Sequence, residues 1–261
     1  MLMFFLDKII SSLKQSFQIK DKKLLFLLLF IIQTAFLGII IYAFMHYFTL
    51  FLNFLNFAVQ SLDNISSSSI FQQNFLLDAS MKSASNILLK GIGVLYAAYV
   101  LLNGLNWDFT NMFVNKKLSF PFYEIHFAVL AFIFLFPAMV IIKIIVNSLI
   151  KLGLPEPMQI LFYLVLIITW YFMMISFALI NKYDLSQIKE HLKETFKIGY
   201  RKAEILVPTY IIILLVLSAF ITLFYFLQEL PYLSVTLLSI ILFIIAAVWT
   251  RIYFLTTMKN L

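Results

Sequence analysis

The 261-residue chain contains no cysteine. Disulfides, thiol catalysis and thiolate metal sites are therefore excluded. Charge is also scarce: Asp, Glu, Lys and Arg make up 12% of the residues, against roughly 25% in soluble domains. No HExxH, GxSxG, Walker A or paired-carboxylate pattern occurs anywhere, so the sequence points to no catalytic residue, cofactor or metal. The three histidines, His46, His126 and His191, fall at different expected depths, which argues against one metal site. Charge is missing from mid-membrane too, because Lys90, Glu124, Lys143, Glu204 and Arg251 all fall within a turn or two of a span end. Deep acidic residues usually mark ion pathways, so an ion-coupled pump is disfavoured.

What is present is apolar. The chain is 63% hydrophobic and 18% aromatic, with 30 phenylalanines, and its mean hydropathy is +1.01. A chain this apolar has no stretch long enough for a separate soluble domain and reads as a polytopic membrane protein. The expectation is one all-α membrane domain over residues 1–261. Six spans are predicted, near residues 24–45, 86–107, 122–150, 158–180, 203–227 and 232–256. Helix beyond the first span should continue through Phe57, giving about 34 residues and ~50 Å. The first span lacks a small-residue cleavage motif and is expected to be retained.

The formal charge of +7 has a topological reading, because cytoplasmic connections concentrate Lys and Arg. The N-terminus, the second and fourth connections and the C-terminus hold all but four of the 19 basic residues. The exceptions are Lys82, Lys90, Lys143 and Lys151. Both termini are therefore expected on the cytoplasmic side of the cell membrane. Nucleic acid is excluded as a partner, since charges of both signs alternate and no base-reading motif is present.

The chain repeats itself. Leu6, Ile9, Leu13 and Phe17 recur as Leu185, Ile188, Leu192 and Phe196, at a constant offset of 179 residues. In each set the spacing places the four residues on a single helical face. Each copy ends in a basic pair, Lys22-Lys23 or Arg201-Lys202, and runs into a long apolar segment. Two amphipathic helices at the membrane interface are expected, one N-terminal and one in the fourth connection. In the second, Lys189, Lys193 and Lys197 face anionic headgroups, each worth about 1 kcal/mol near such a surface. Asp184 and Gln187 are spaced as a capping box ahead of it. Leu102, Leu105, Phe109 and Phe113 are a candidate third copy, giving parallel repeat units near 1–107, 108–180 and 181–261.

Within the spans the polar candidates are Gln33 and Asn103, suited to interhelical hydrogen bonds or a cavity wall. Pro137 should kink the third span by removing one backbone bond. Gly93 and Ala97 form a small-xxx-small pair suited to close helix contact. Asp108–Pro121 reads as a polar turn, and Phe71, Phe75 and Met81 as a short surface helix. Glu124, His126 and His191 share the inner side and are the only candidates for enzyme chemistry at that interface.

The segments Leu13–Ile19 and Leu192–Ile198 share L-K-x-[S/T]-F-x-I. On those segments the layout resembles a broad group of bacterial and archaeal six-span proteins. The group includes the membrane domain attached to some glycerophosphodiester phosphodiesterases. The phosphodiesterase domain itself is absent, so the resemblance implies an accessory role in the membrane and supplies no site residues. The leading expectation is a non-enzymatic accessory of transport or envelope lipid homeostasis. Its partners would be membrane lipids, and a membrane-protein partner or a second copy of the chain stays open. A permease-like passage for a neutral or amphiphilic solute and a lipid-modifying enzyme are the alternatives.

Overall fold

The computed structural model describes residues 2–17, 22–63, 83, 86–87, 89–152, 156–227 and 233–261. Among these residues there is helix and short connection but no strand. The helices are α1 (Leu2–Ser16), α2 (Lys23–Asp63), α3 (Gly104–Asn115), α4 (Phe122–Leu152), α5 (Glu156–Leu179), α6 (Ile188–Arg201), α7 (Ala203–Leu227) and α8 (Leu233–Lys259). Residues 89–98 are also helical, and a π-helical turn, Tyr99–Asn103, leads from them into α3. Five stretches are long and apolar enough to cross a membrane: Lys23–Phe54, Phe122–Ile141, Tyr163–Lys182, Ala203–Phe226 and Thr236–Lys259. The protein thus has the helical, multi-pass character that its composition predicts. The expected surface helix at Phe71, Phe75 and Met81 lies outside the described residues, as do parts of the turns after α4 and α7.

Two compact units divide the chain. One comprises Met1–Gln33 with Gly104–Leu261, and the other Thr34–Asn103. In the first unit α7 packs on α8 and α4 on α5, while α3 lies against α4, α5 and α8. Its core includes Leu29, Phe113, Val248 and Ile252, together with an aromatic group in which Phe127 stacks on Phe177 at 4.1 Å. Threonines are buried here at little cost because each bonds back to its own helix. Thr195 donates to the His191 carbonyl, Thr209 to that of Ile205 and Thr256 to that of Ile252.

Helices α1 and α6 pack within this unit mainly by small and polar residues, with Ile9 of α1 also buried. Ser12 and Ser16 are fully buried on α1, where Trp249 Nε1 donates to Ser16 Oγ at 3.1 Å and Asn260 donates to Ser12 Oγ at 3.0 Å. The buried residues of α6 are His191, Thr195 and Gly199. Tyr171 of α5 donates to the Gly199 carbonyl at 2.8 Å. The Asp184–Gln187 capping box forms ahead of α6, around the short 3-10 turn Leu185–Gln187.

Three expectations are corrected or sharpened. Asp108–Pro121 is not a polar turn, since α3 runs through Asn115 with Asn106, Asp108, Thr110 and Asn111 all buried. Its polar groups bond partly within the helix and partly to neighbours. Thr110 bonds the Asn106 carbonyl and Asn115 donates to Asn111 Oδ1 at 2.7 Å, while Asn106 Nδ2 donates to Gln33 and Asp108 accepts the Ser119 N–H. The turn begins at Lys116, whose left-handed conformation (φ 59°) ends the helix while its N–H caps the Met112 carbonyl. In the second unit the close approach is at Gly91, where an added Cβ would meet the Tyr47 side chain at 3.0 Å; Gly93 faces open space among the described residues. Pro137 stands inside α4, which stays helical on both sides of it.

Candidate functional site

The polar side chains of the first unit gather along α3. Gln33 of α2, Asn106 of α3 and Arg251 of α8 meet at one oxygen: Gln33 Oε1 accepts from Arg251 Nη2 at 2.5 Å and from Asn106 Nδ2 at 3.1 Å. All three residues are buried. A guanidinium in a span needs such an acceptor, because leaving it in apolar surroundings is costly. Gln33, flagged in the sequence, is thus an interhelical bridge. Asn103, also flagged, is buried at the end of the π-helical turn. Arg251 and Asn106 were missed as Gln33's partners because they lie 218 and 73 residues away.

The acidic residues occupy the α3–α4 contact. Glu124 packs against Gly104 so closely that a Cβ added there would collide with its carboxylate. Asp108, one turn beyond Gly104, accepts the Ser119 backbone N–H at 3.2 Å. Burial pushes the Asp108 carboxyl up from its ordinary value, and the backbone N–H groups of Ser119 and Phe120 partly offset this. The second Asp108 oxygen and both Glu124 oxygens are buried without a hydrogen-bond partner.

Two histidines expected at different depths touch. His126 of α4 and His191 of α6 approach to 3.1 Å, His126 Nε2 to His191 Nδ1. His191 Nε2 lies 3.0 Å from the Ser176 carbonyl of α5. A carbonyl only accepts, so His191 carries its proton on Nε2, and its Nδ1 accepts from His126. The neutral pair ties α4, α5 and α6 together. The depth estimate failed because the connection after α5 folds α6 back onto α5. Glu124, the third residue of the expected inner-side trio, stays at Gly104 instead. His46 belongs to the second unit, between Tyr42 and Tyr47.

Burial, chiefly, and the neighbouring His126 lower the His191 pKa from 6.5 to about 4, against the pull of the Ser176 bond. The unfolded chain binds a proton near pH 6.5 that the folded chain refuses until about pH 4. The stability this group confers is therefore complete above pH 6.5 and is lost as pH falls toward 4. The expected loss at pH 5 is about 2 kcal/mol. Between pH 7.5 and pH 5 the unfolding midpoint in detergent should shift less favourably for the parent than for His191→Leu, and that difference reads the His191 contribution.

Two cavities open beside these groups. The larger, about 610 Å³, lies between the start of α4 and the connection to α6, with His126, Tyr123, Asn181 and Asp184 on its wall. The smaller, about 320 Å³, lies where α3, α5 and α8 end, with Asn111, Asn181, Lys117, Lys182 and Lys259 on its wall. Among the described residues no three His, Asp or Glu side chains come together as metal ligands. Comparison with family models, curated proteins and solved structures gives no match.

The residues expected at the interface flank the docked faces. On α6, Lys189, Lys193 and Lys197 are exposed and Phe196 is 49% exposed, while Leu192 is half-buried. On α1, Leu13 is half-buried. Phe17, just beyond it, is 61% exposed and stacks on Trp249 at 5.3 Å.

Proposed function

We propose that the chain is a six-span protein of the cell membrane, its sixth span being residues 86–107. Both termini are cytoplasmic, and α1 and α6 are amphipathic helices of one parallel repeat lying in the inner interface. In this reading it acts without catalysis, as an accessory of transport or envelope lipid homeostasis that engages anionic headgroups.

The supporting observation is the shared orientation of the two repeats. Ser12 and Ser16 stand at the offset of His191 and Thr195, and all four are fully buried. With that face on the protein, Phe17, Leu185 and Phe196 of the two stripes stay exposed, on the side this reading gives to acyl chains, whereas Ile9 turns into the protein. Lys14, Lys189, Lys193 and Lys197 are exposed. That is the pose of an interfacial helix.

Mass spectrometry of lipids that copurify after gentle extraction tests it. Anionic phospholipid should be enriched over the bulk membrane, and Lys189→Gln with Lys193→Gln and Lys197→Gln should reduce the enrichment markedly. A lipid profile equal to the bulk, unchanged by the triple variant, contradicts the proposal.

One observation favours a lipid-modifying enzyme instead: His126 borders the larger cavity and bonds His191. The non-enzymatic reading is preferred because Glu124 lies against Gly104, and Asp184, the carboxylate that does border this cavity, caps the turn ahead of α6.

A further inference from the structure

We propose that the cavity at the ends of α3, α5 and α8 binds a phosphate group. Three helix C-termini meet there, and their carbonyl ends call for positive charge. Lys259 and Lys22 answer that demand at the end of α3, donating to the Val114 and Phe113 carbonyls. Lys117 and Lys182 remain, with no hydrogen bond or ion pair among the described residues.

Two buried amides add to the surplus of donors. Asn111 is 1% exposed, and its Oδ1 accepts from Asn115 Nδ2 at 2.7 Å. That bond fixes the amide and leaves Asn111 Nδ2 buried with only the Tyr123 hydroxyl, itself donating to the Phe177 carbonyl, beside it. Asn181 Nδ2 and Oδ1 are buried and unpartnered. An unsatisfied buried amide is expensive, and no acidic residue lines the cavity among the described residues. Two ammonium groups and two amide donors around about 320 Å³ suit the oxygens of a phosphate, which lysine binds as a point charge. A hydroxyl next to the phosphate would satisfy Asn181 Oδ1.

The phosphate comes from a lipid headgroup or from solution. The lipid source rests on the reading that these helix ends lie at the inner interface, whereas the site itself does not.

The test uses the full chain in neutral detergent and reads the thermal unfolding midpoint. Phosphatidylglycerol, phosphatidylcholine and inorganic phosphate are titrated at constant ionic strength. Phosphatidylglycerol should raise the midpoint and phosphatidylcholine should not. Lys117→Gln with Lys182→Gln, both exposed and tolerable to the fold, should weaken that binding about tenfold or more. Lys189→Gln with Lys193→Gln should leave it unchanged. A rise with inorganic phosphate, lost in the same variant, supports the site and assigns the phosphate to solution. Equal binding of every phosphate source by the Lys117/Lys182 variant and the parent overturns the proposal. Because the α6 lysines are varied separately, failure of this site and failure of the interfacial helices give different patterns.

Discussion

Replacing Gln33 by Leu is expected to destabilise the folded chain by about 3 kcal/mol. The side-chain oxygen of Gln33 is shared by Arg251 and Asn106, so the substitution removes two bonds at once. A hydrogen bond to a charged group contributes about 1.5–3 kcal/mol, and a neutral one about 1 kcal/mol. Leu fills the volume, so the loss is electrostatic rather than a packing void. Gln33→Glu keeps an acceptor for both donors and should stay within about 1 kcal/mol of the parent. Combining Gln33→Leu with Arg251→Met removes the guanidinium that lost this bond and should recover part of the loss. Denaturant unfolding in detergent of these variants and of the single Arg251→Met reads the cycle. A Gln33→Leu variant as stable as the parent would show that the bridge contributes nothing.

Replacing Gly199 by Val should lift α6 from α5, at a cost of about 2–3 kcal/mol. A Cβ at Gly199 would stand 2.6 Å from Phe172 Cε1 and 3.2 Å from Ile175 Cδ1. The Phe172 ring has little room to yield, since it lies between Tyr171 at 5.1 Å and Phe196 at 4.8 Å. Moving α6 also breaks the bond from Tyr171 to the Gly199 carbonyl and loosens the His126–His191 pair. Gly199→Ala should cost less, because one methyl displaces only the edge of the ring. Limited proteolysis between Asn181 and Gln187 should rise in the same order. Equal protection of parent and Val variant would mean that α6 is held elsewhere.

The sequence revealed the helices better than their contacts. Long apolar runs announce spans because hydrocarbon demands about 20 apolar residues per crossing. That same apolarity hides which side of a helix faces protein, since lipid is as apolar as a leucine-lined core. Leu192 and Phe196 marked the amphipathic stripe of α6, yet the residues that dock it are His191, Thr195 and Gly199. In membranes small and polar residues bring helices together, and that signal stood in the sequence beside the louder Leu/Phe pattern. For α3 the composition misled: Asn106, Asp108 and Asn111 look like a turn, yet Asn106 reaches Gln33, Asp108 takes the Ser119 N–H, and Asn111 bonds Asn115 of its own helix. The smaller cavity could not be read at all, because Lys117, Lys182 and Asn111 come together only when three helices end at one place.

Impermeant thiol labelling tests the six-span arrangement most directly. The chain has no cysteine, so a single Cys at Ser67, in the first long connection, or at Ser186, ahead of α6, is the sole target. In intact cells Ser67→Cys should react and Ser186→Cys should not, and inside-out vesicles should reverse the pattern. Labelling of both positions from the same side would contradict the topology and, with it, the placement of α1 and α6 on the cytoplasmic surface.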